Sequence, residues 1–355
     1  MTWLHRAMRT RTQVHTPSAA QEQRDRGLAA AIGVMAALQL GCQMLLWVTF
    51  YGYSQLNQTV WLAALALLAP LMGLWLLWKG GQPALSTRAG RLCCLPLLLC
   101  LWLDMALLLC AMAGYIDHLI PEYPYWIGVV LPALACLLTV GLSGQNGVPY
   151  GCQVLCLLIL PLFLLSTVLL GAPANQSRLY PIWGAGAGTI GLGALGGCGC
   201  LWGVGQGFLT RTKQKSPLWV LLPFGALFLW ALWYGMVRPW SPGDNLATGS
   251  KLTALNRNSP NVFVFELSGI LWTLLLPLSC AGCLYTGRRI MAGVWPQWPG
   301  IAAPLALAVS AAAVVCLRQD RLLVDLGSLL PWRALVSAIC GAALCVLTVR
   351  ERRAS

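Results

Sequence analysis

The sequence predicts an all-α membrane protein of about ten transmembrane helices, arranged as a five-plus-five inverted repeat with breaks in the first and sixth helices. Three observations predict it. The 355 residues are 58% hydrophobic and 9% charged, with a mean hydropathy of +0.71, which excludes a soluble globular domain. Apolar segments of about 20 residues, enough to cross roughly 30 Å of hydrocarbon, recur along the whole chain. The stretch Gly184 to Gly207, GAGAGTIGLGALGGCGCLWGVGQG, holds 11 glycines in 24 residues and no charge.

That stretch is long enough to span a bilayer, yet glycine costs about 1 kcal/mol relative to alanine inside a helix. A uniform helix is therefore disfavoured there. Backbone that leaves the helical pattern at membrane depth must be buried in protein or face a water-filled cavity. Alternatively, the glycines only let neighbouring helices approach closely, as small residues do in membrane bundles.

Spans are read at 28–50, 59–78, 92–114, 125–143, 150–171, 185–209, 217–237, 262–286, 297–317 and 329–349. The first follows residues 1–26, which carry Arg6, Arg9, Arg11, Arg24 and Arg26 without an apolar run and read as a solvated tail. Lys79, Arg88 and Arg91 separate the second span from the third, and Asp117 and Glu122 the third from the fourth. Arg211, Lys213 and Lys215 follow the sixth. The turn-rich segment 238–261 separates the seventh from the eighth, Arg288 and Arg289 close the eighth, and residues 351–355 form a short tail after the tenth. The domain division is thus a tail at 1–26, one membrane domain at 27–350 (repeats at about 27–171 and 180–350), and the tail.

Orientation follows from lysine and arginine, which are retained on the cytoplasmic side. With both termini inside, the even-numbered loops and the tails hold 16 of the 23 basic residues. The others, Arg178, Arg238, Lys251, Arg257, Arg318, Arg321 and Arg333, are assigned to outer loops. Topology and anionic lipid thus account for the net charge of +13, with no nucleic-acid partner required.

The first span carries Gln39, Gly41, Cys42 and Gln43 at its middle. Amides at that depth need partners, so the patch reads either as a helix break facing a cavity or as a bond from Gln39 and Gln43 to a neighbouring helix. Disruption at the first helix of each half is the sequence pointer to inverted-repeat transporters with a midplane site. Asp104 in the third span is the one acid well inside a membrane segment, hence a functional candidate or a neutral carboxyl in a structural hydrogen bond. Glu266 lies nearer an interface.

The 15 cysteines fall mostly within spans, where they act as small apolar residues. The pairs Cys93–Cys94 and Cys198–Cys200 lack zinc spacing and a nearby histidine, so no metal site is expected. There is no GxxxxGKS, HExxH or GxSxG motif, and His5, His15 and His118 sit outside the spans. Neither an enzyme nor a cofactor is expected.

Leu179-Tyr-Pro181-Ile-Trp-Gly184-Ala-Gly186 with Ile190 and Gly193-Ala194, and Phe265-Glu266 with Trp272, resemble the permease-like B subunits of bacterial spore germinant receptors. That family belongs to the amino acid/polyamine/organocation transporter superfamily. The chain departs from it late in the sixth span, where it has Gly203-Val-Gly205-Gln206, and at Leu267, where a basic residue is common. The resemblance implies the inverted-repeat fold, the spore inner membrane, partner A and C subunits, and sensing of small nutrients such as amino acids.

The ligand would then lie between the broken helices, near Gly41, Cys42 and Gln43 of the first span and Gly184, Gly186, Gly188 and Thr189 of the sixth. Asp104 and Thr273 are secondary candidates from facing helices. An amino acid transporter coupled to protons or sodium is the alternative.

Overall fold

Eight helices form among the described residues of the computed structural model, which are 19–50, 87–119, 122, 124–143, 146–169, 176, 221–237, 262–295, 297, 300–317, 326 and 328–354. In chain order they are α1 (Ala19–Phe50), α2 (Arg88–Leu119), α3 (Tyr125–Leu142), α4 (Gly147–Leu169), α5 (Leu221–Val237), α6 (Val262–Val294), α7 (Ala302–Cys316) and α8 (Leu330–Ala354). No strand occurs among the described residues. Each helix coincides with a predicted span; the spans at 59–78 and 185–209 lie outside the described residues.

By length and composition alone, Arg88–Gly114 and Tyr125–Leu142 can cross a membrane; the apolar runs in α1, α4, α7 and α8 are shorter. At 1.5 Å per residue, the 32-residue α1 is about 48 Å long, well beyond the hydrocarbon thickness. Its excess lies at the front. Residues 19–26, read from sequence as part of a solvated tail, are helical, with Gln23, Arg24 and Arg26 exposed. No proline or glycine interrupts that segment, so the helix continues into solvent.

The bundle is built around α2, which packs against α1, α3, α6, α7 and α8. Every residue from Leu103 to Ala113 is buried, as expected of a helix that is apolar all round. A second group forms where α1 lies on α4, α5 and α6. One continuous apolar cluster joins the two, with Ile32 and Met35 of α1, Leu101 and Met105 of α2, Phe224 of α5 and Tyr285 of α6 fully buried. Outward leucines such as Leu92, Leu99, Leu138 and Leu157 are well exposed. In water such a surface would drive association, whereas lipid solvates it.

Proline sits inside four of these helices, at Pro96, Pro132, Pro161 and Pro277. Such residues are tolerated in a membrane bundle because neighbouring groups take over the freed backbone atoms. Pro277 lacks the N–H that the carbonyl of Thr273 would otherwise accept.

Candidate functional site

The polar patch of α1 does not break the helix, because α1 is continuous from Ala19 to Phe50 through Gly41, Cys42 and Gln43. The expected interruption there gives way to pairing between helices. The Gln39 side-chain amide Nε2 donates to the carbonyl of Ser279 (3.1 Å) and to Cys283 Sγ (3.3 Å), both on α6. Each such bond contributes about 1 kcal/mol net. Together they satisfy the NH₂ group of the amide, which lipid cannot.

The pairing requires close approach. A Cβ at Gly282 would stand 2.7 Å from Gln39 Nε2 and 3.3 Å from Met35 Cγ, so only glycine leaves room for the amide. One turn along α1, Cys42 Sγ lies 4.0 Å from the Leu275 carbonyl, which it faces as donor. From α3, Cys136 Sγ donates to the Pro277 carbonyl at 3.2 Å.

This junction of α1, α3 and α6 is buried and uncharged. Two of its acceptors, Gln39 Oε1 and Ser279 Oγ, have no hydrogen-bond partner among the described residues, although Gln39 and Ser279 are only 3% and 1% exposed. Buried polar atoms are seldom left unpaired. Both suit a donor from a guest or a water.

A second polar centre lies between α2 and α8. Asp104, 2% exposed, forms an ion pair with Arg333, 4% exposed, through Oδ2 and Nη2. Cys100 Sγ, one turn before Asp104, lies 3.5 Å from the Arg333 carbonyl as donor. Arg333 is therefore not an outer-loop charge, as read from the sequence. It stands in the first turn of α8 and turns inward, because a buried carboxylate needs a cation.

The expected ligand residues divide accordingly. Gly41 faces α5, where a Cβ would stand 3.1 Å from Leu227 Cδ1, and Cys42 faces α6. Gln43 and Thr273 are helical, with side chains outside the described part. Asp104 belongs to the pair with Arg333, away from the Gln39 junction. Gly184, Gly186, Gly188 and Thr189 lie outside the described residues, as does the expected break of the sixth helix.

Sequence reasoning did not select Ser279, Cys280, Cys283 and Arg333. The signal available for the first three was small and polar residues at helical spacing just after Pro277. For Arg333 it was an arginine inside a predicted span. Among the described residues, no group of three or more His, Cys, Asp or Glu side chains is placed to hold a metal ion.

No family model and no curated protein matches the chain. Solved structures do. The manganese transporter of Eremococcus coleocola, in complex with an aromatic bis-isothiourea substituted compound, superposes with a TM-score of 0.55 at 16% identity, covering 91% of this chain and 84% of that one. A single-site mutant of the same transporter gives a TM-score of 0.55 at 16% identity, covering 95% and 80%. The chain thus shares the fold of that transporter.

Proposed function

We propose that the chain is the nutrient-binding, permease-like membrane subunit of a spore germinant receptor, acting with A and C subunits in the spore inner membrane with both termini cytoplasmic. A small solute, an amino acid by the resemblance, is held at mid-membrane between α1 and the glycine-rich segment 184–207. The observation that carries this reading is the transporter fold, matched over 91% of the chain. The motifs around Pro181 and Glu266 supply the rest.

Chemically, backbone amides at the start of a helical segment take a carboxylate, and freed carbonyls take an ammonium group. Gly184, Gly186, Gly188 and Thr189 are the residues assigned to that role. Gln39 Oε1 and Ser279 Oγ add two buried acceptors for a donor group on the side of α6.

Thermal unfolding of the purified full chain, with amino acids, sugars, nucleosides and Mn²⁺ as separate arms, tests the reading. A ligand at 100 times its dissociation constant stabilises the folded state by roughly 2.7 kcal/mol. We expect a shift from one class of organic nutrient, lost in Gly186→Leu. A shift from Mn²⁺ alone, or no shift in protein folded with its partner subunits, overturns it.

A second reading is supported by the similarity to a transporter: a secondary amino acid carrier coupled to protons or sodium, with Asp104 as the coupling acid. Uptake into proteoliposomes separates the two. Solute accumulation driven by an ion gradient, abolished by Asp104→Asn, favours transport; binding without turnover favours sensing.

A further inference from the structure

The Asp104 carboxylate of α2 has its counter-charge inside the chain. Arg333, in the first turn of α8, pairs with it through Nη2, and the two residues are 2% and 4% exposed. A guanidinium is not deprotonated in proteins, so this cation cannot leave as a proton. Nor can it diffuse away. The Arg333 carbonyl lies 3.5 Å from Cys100 Sγ, one turn before Asp104, so the α8 backbone itself stands against α2 at this level.

An intramembrane carboxylate that couples solute movement to an ion gradient must exchange its partner, taking up a proton or a sodium ion and releasing it again. Neither exchange suits this pair. Protonating Asp104 would strand a buried guanidinium, and breaking a buried pair from one side is strongly destabilising. A sodium ion at the carboxylate would meet a fixed positive charge at close range.

The surroundings offer no substitute among the described residues. The titratable groups near Asp104 are Arg333 from α8, the Cys100 thiol from α2 itself and the Cys340 thiol two turns along α8. From α1, α3, α6 and α7, which also pack on α2, no described cation or carboxylate is paired with it. Leu101, Leu103, Leu107 and Leu108 beside it are buried. In so apolar a setting an unbalanced charge is costly, so the two charges stay together.

We infer that Arg333 is a built-in counter-ion that takes the place of a coupling proton or sodium ion beside Asp104, so that this carboxylate stays charged and exchanges no ion. Asp104 is thereby removed from the role of coupling acid. Solute binding then draws on no ion gradient at this position, a consequence that rests on the nutrient-binding reading. The charge state of Asp104 does not.

Infrared spectroscopy of the full chain in lipid vesicles, with its aspartate carboxyls isotopically labelled, tests this without a ligand. Exposed aspartates are ionised above about pH 5, so between about pH 5 and 8 a labelled band of a protonated carboxyl comes from a buried aspartate. We expect none in the wild type, and no change in the carboxylate bands when sodium replaces choline. In Arg333→Gln the carboxyl has lost its cation, and the labelled protonated band should appear, then vanish in the double variant with Asp104→Asn. If Arg333→Gln does not fold, the wild-type spectra decide alone. A labelled protonated band in the wild type, a sodium-induced carboxylate shift that Asp104→Asn removes, or an Arg333→Gln protein whose Asp104 stays ionised would overturn the proposal. Failure of every nutrient to shift thermal unfolding would strike the nutrient-binding reading and leave this result standing.

Discussion

Arg333→Met is expected to destabilise the protein by about 3–5 kcal/mol, because it leaves the Asp104 carboxylate buried against α8 without its cation. Asp104 and Arg333 are 2% and 4% exposed, so solvent cannot take over from the lost partner. The double variant Asp104→Leu with Arg333→Met should recover most of the loss. Replacing a buried pair by apolar residues of similar volume is commonly neutral or stabilising. Reversible unfolding of the four proteins in mixed micelles completes the cycle, and we expect strong coupling. A neutral effect of Arg333→Met alone would mean that the pair is solvated.

The second large effect is expected at Gly282. In Gly282→Val the new side chain begins 2.7 Å from Gln39 Nε2, so the amide must leave its place and give up its bonds to the Ser279 carbonyl and Cys283. Overpacking of this kind costs about 1–3 kcal/mol. The displaced amide in a dry interface adds to that. Shortening the opposing residue in Gln39→Ala with Gly282→Ala should be milder than the sum of the two single changes. Additivity would show that α1 and α6 do not meet there.

The positions of the eight described helices were legible in the sequence, because long apolar runs bracketed by charges or turns need no tertiary information. The boundaries of α2, α3 and α7 follow the predicted spans to within a few residues. What failed to show was partnership. Gln39 and Ser279 are separated by 240 positions, and Asp104 and Arg333 by 229, and no local pattern encodes such a meeting. The polar patch at Gln39 to Gln43 therefore resembled a break when read alone.

Of the two local accounts of that patch, a bond to a neighbouring helix describes Gln39. Asp104 was singled out because an acid at such depth is costly, as a functional candidate or a neutral carboxyl in a hydrogen bond, and an ion pair was not among those readings. Its partner was a residue assigned to a loop, since an arginine three positions into α8 reads as a helix-end anchor unless the opposing acid is known. The glycine-rich segment, on which the ligand reading depends most, falls outside the described residues.

The distance along the chain between Asp104 and Arg333 also bears on how the protein is made. When α2 leaves the ribosome its carboxyl has no counter-charge, and the arginine that neutralises it arrives only with the last helix. An acid in lipid without a partner is costly. Until α8 enters, that carboxyl is either protonated or sheltered in the insertion machinery or against earlier helices. Chains truncated before α8 would keep an acid at that depth without its cation.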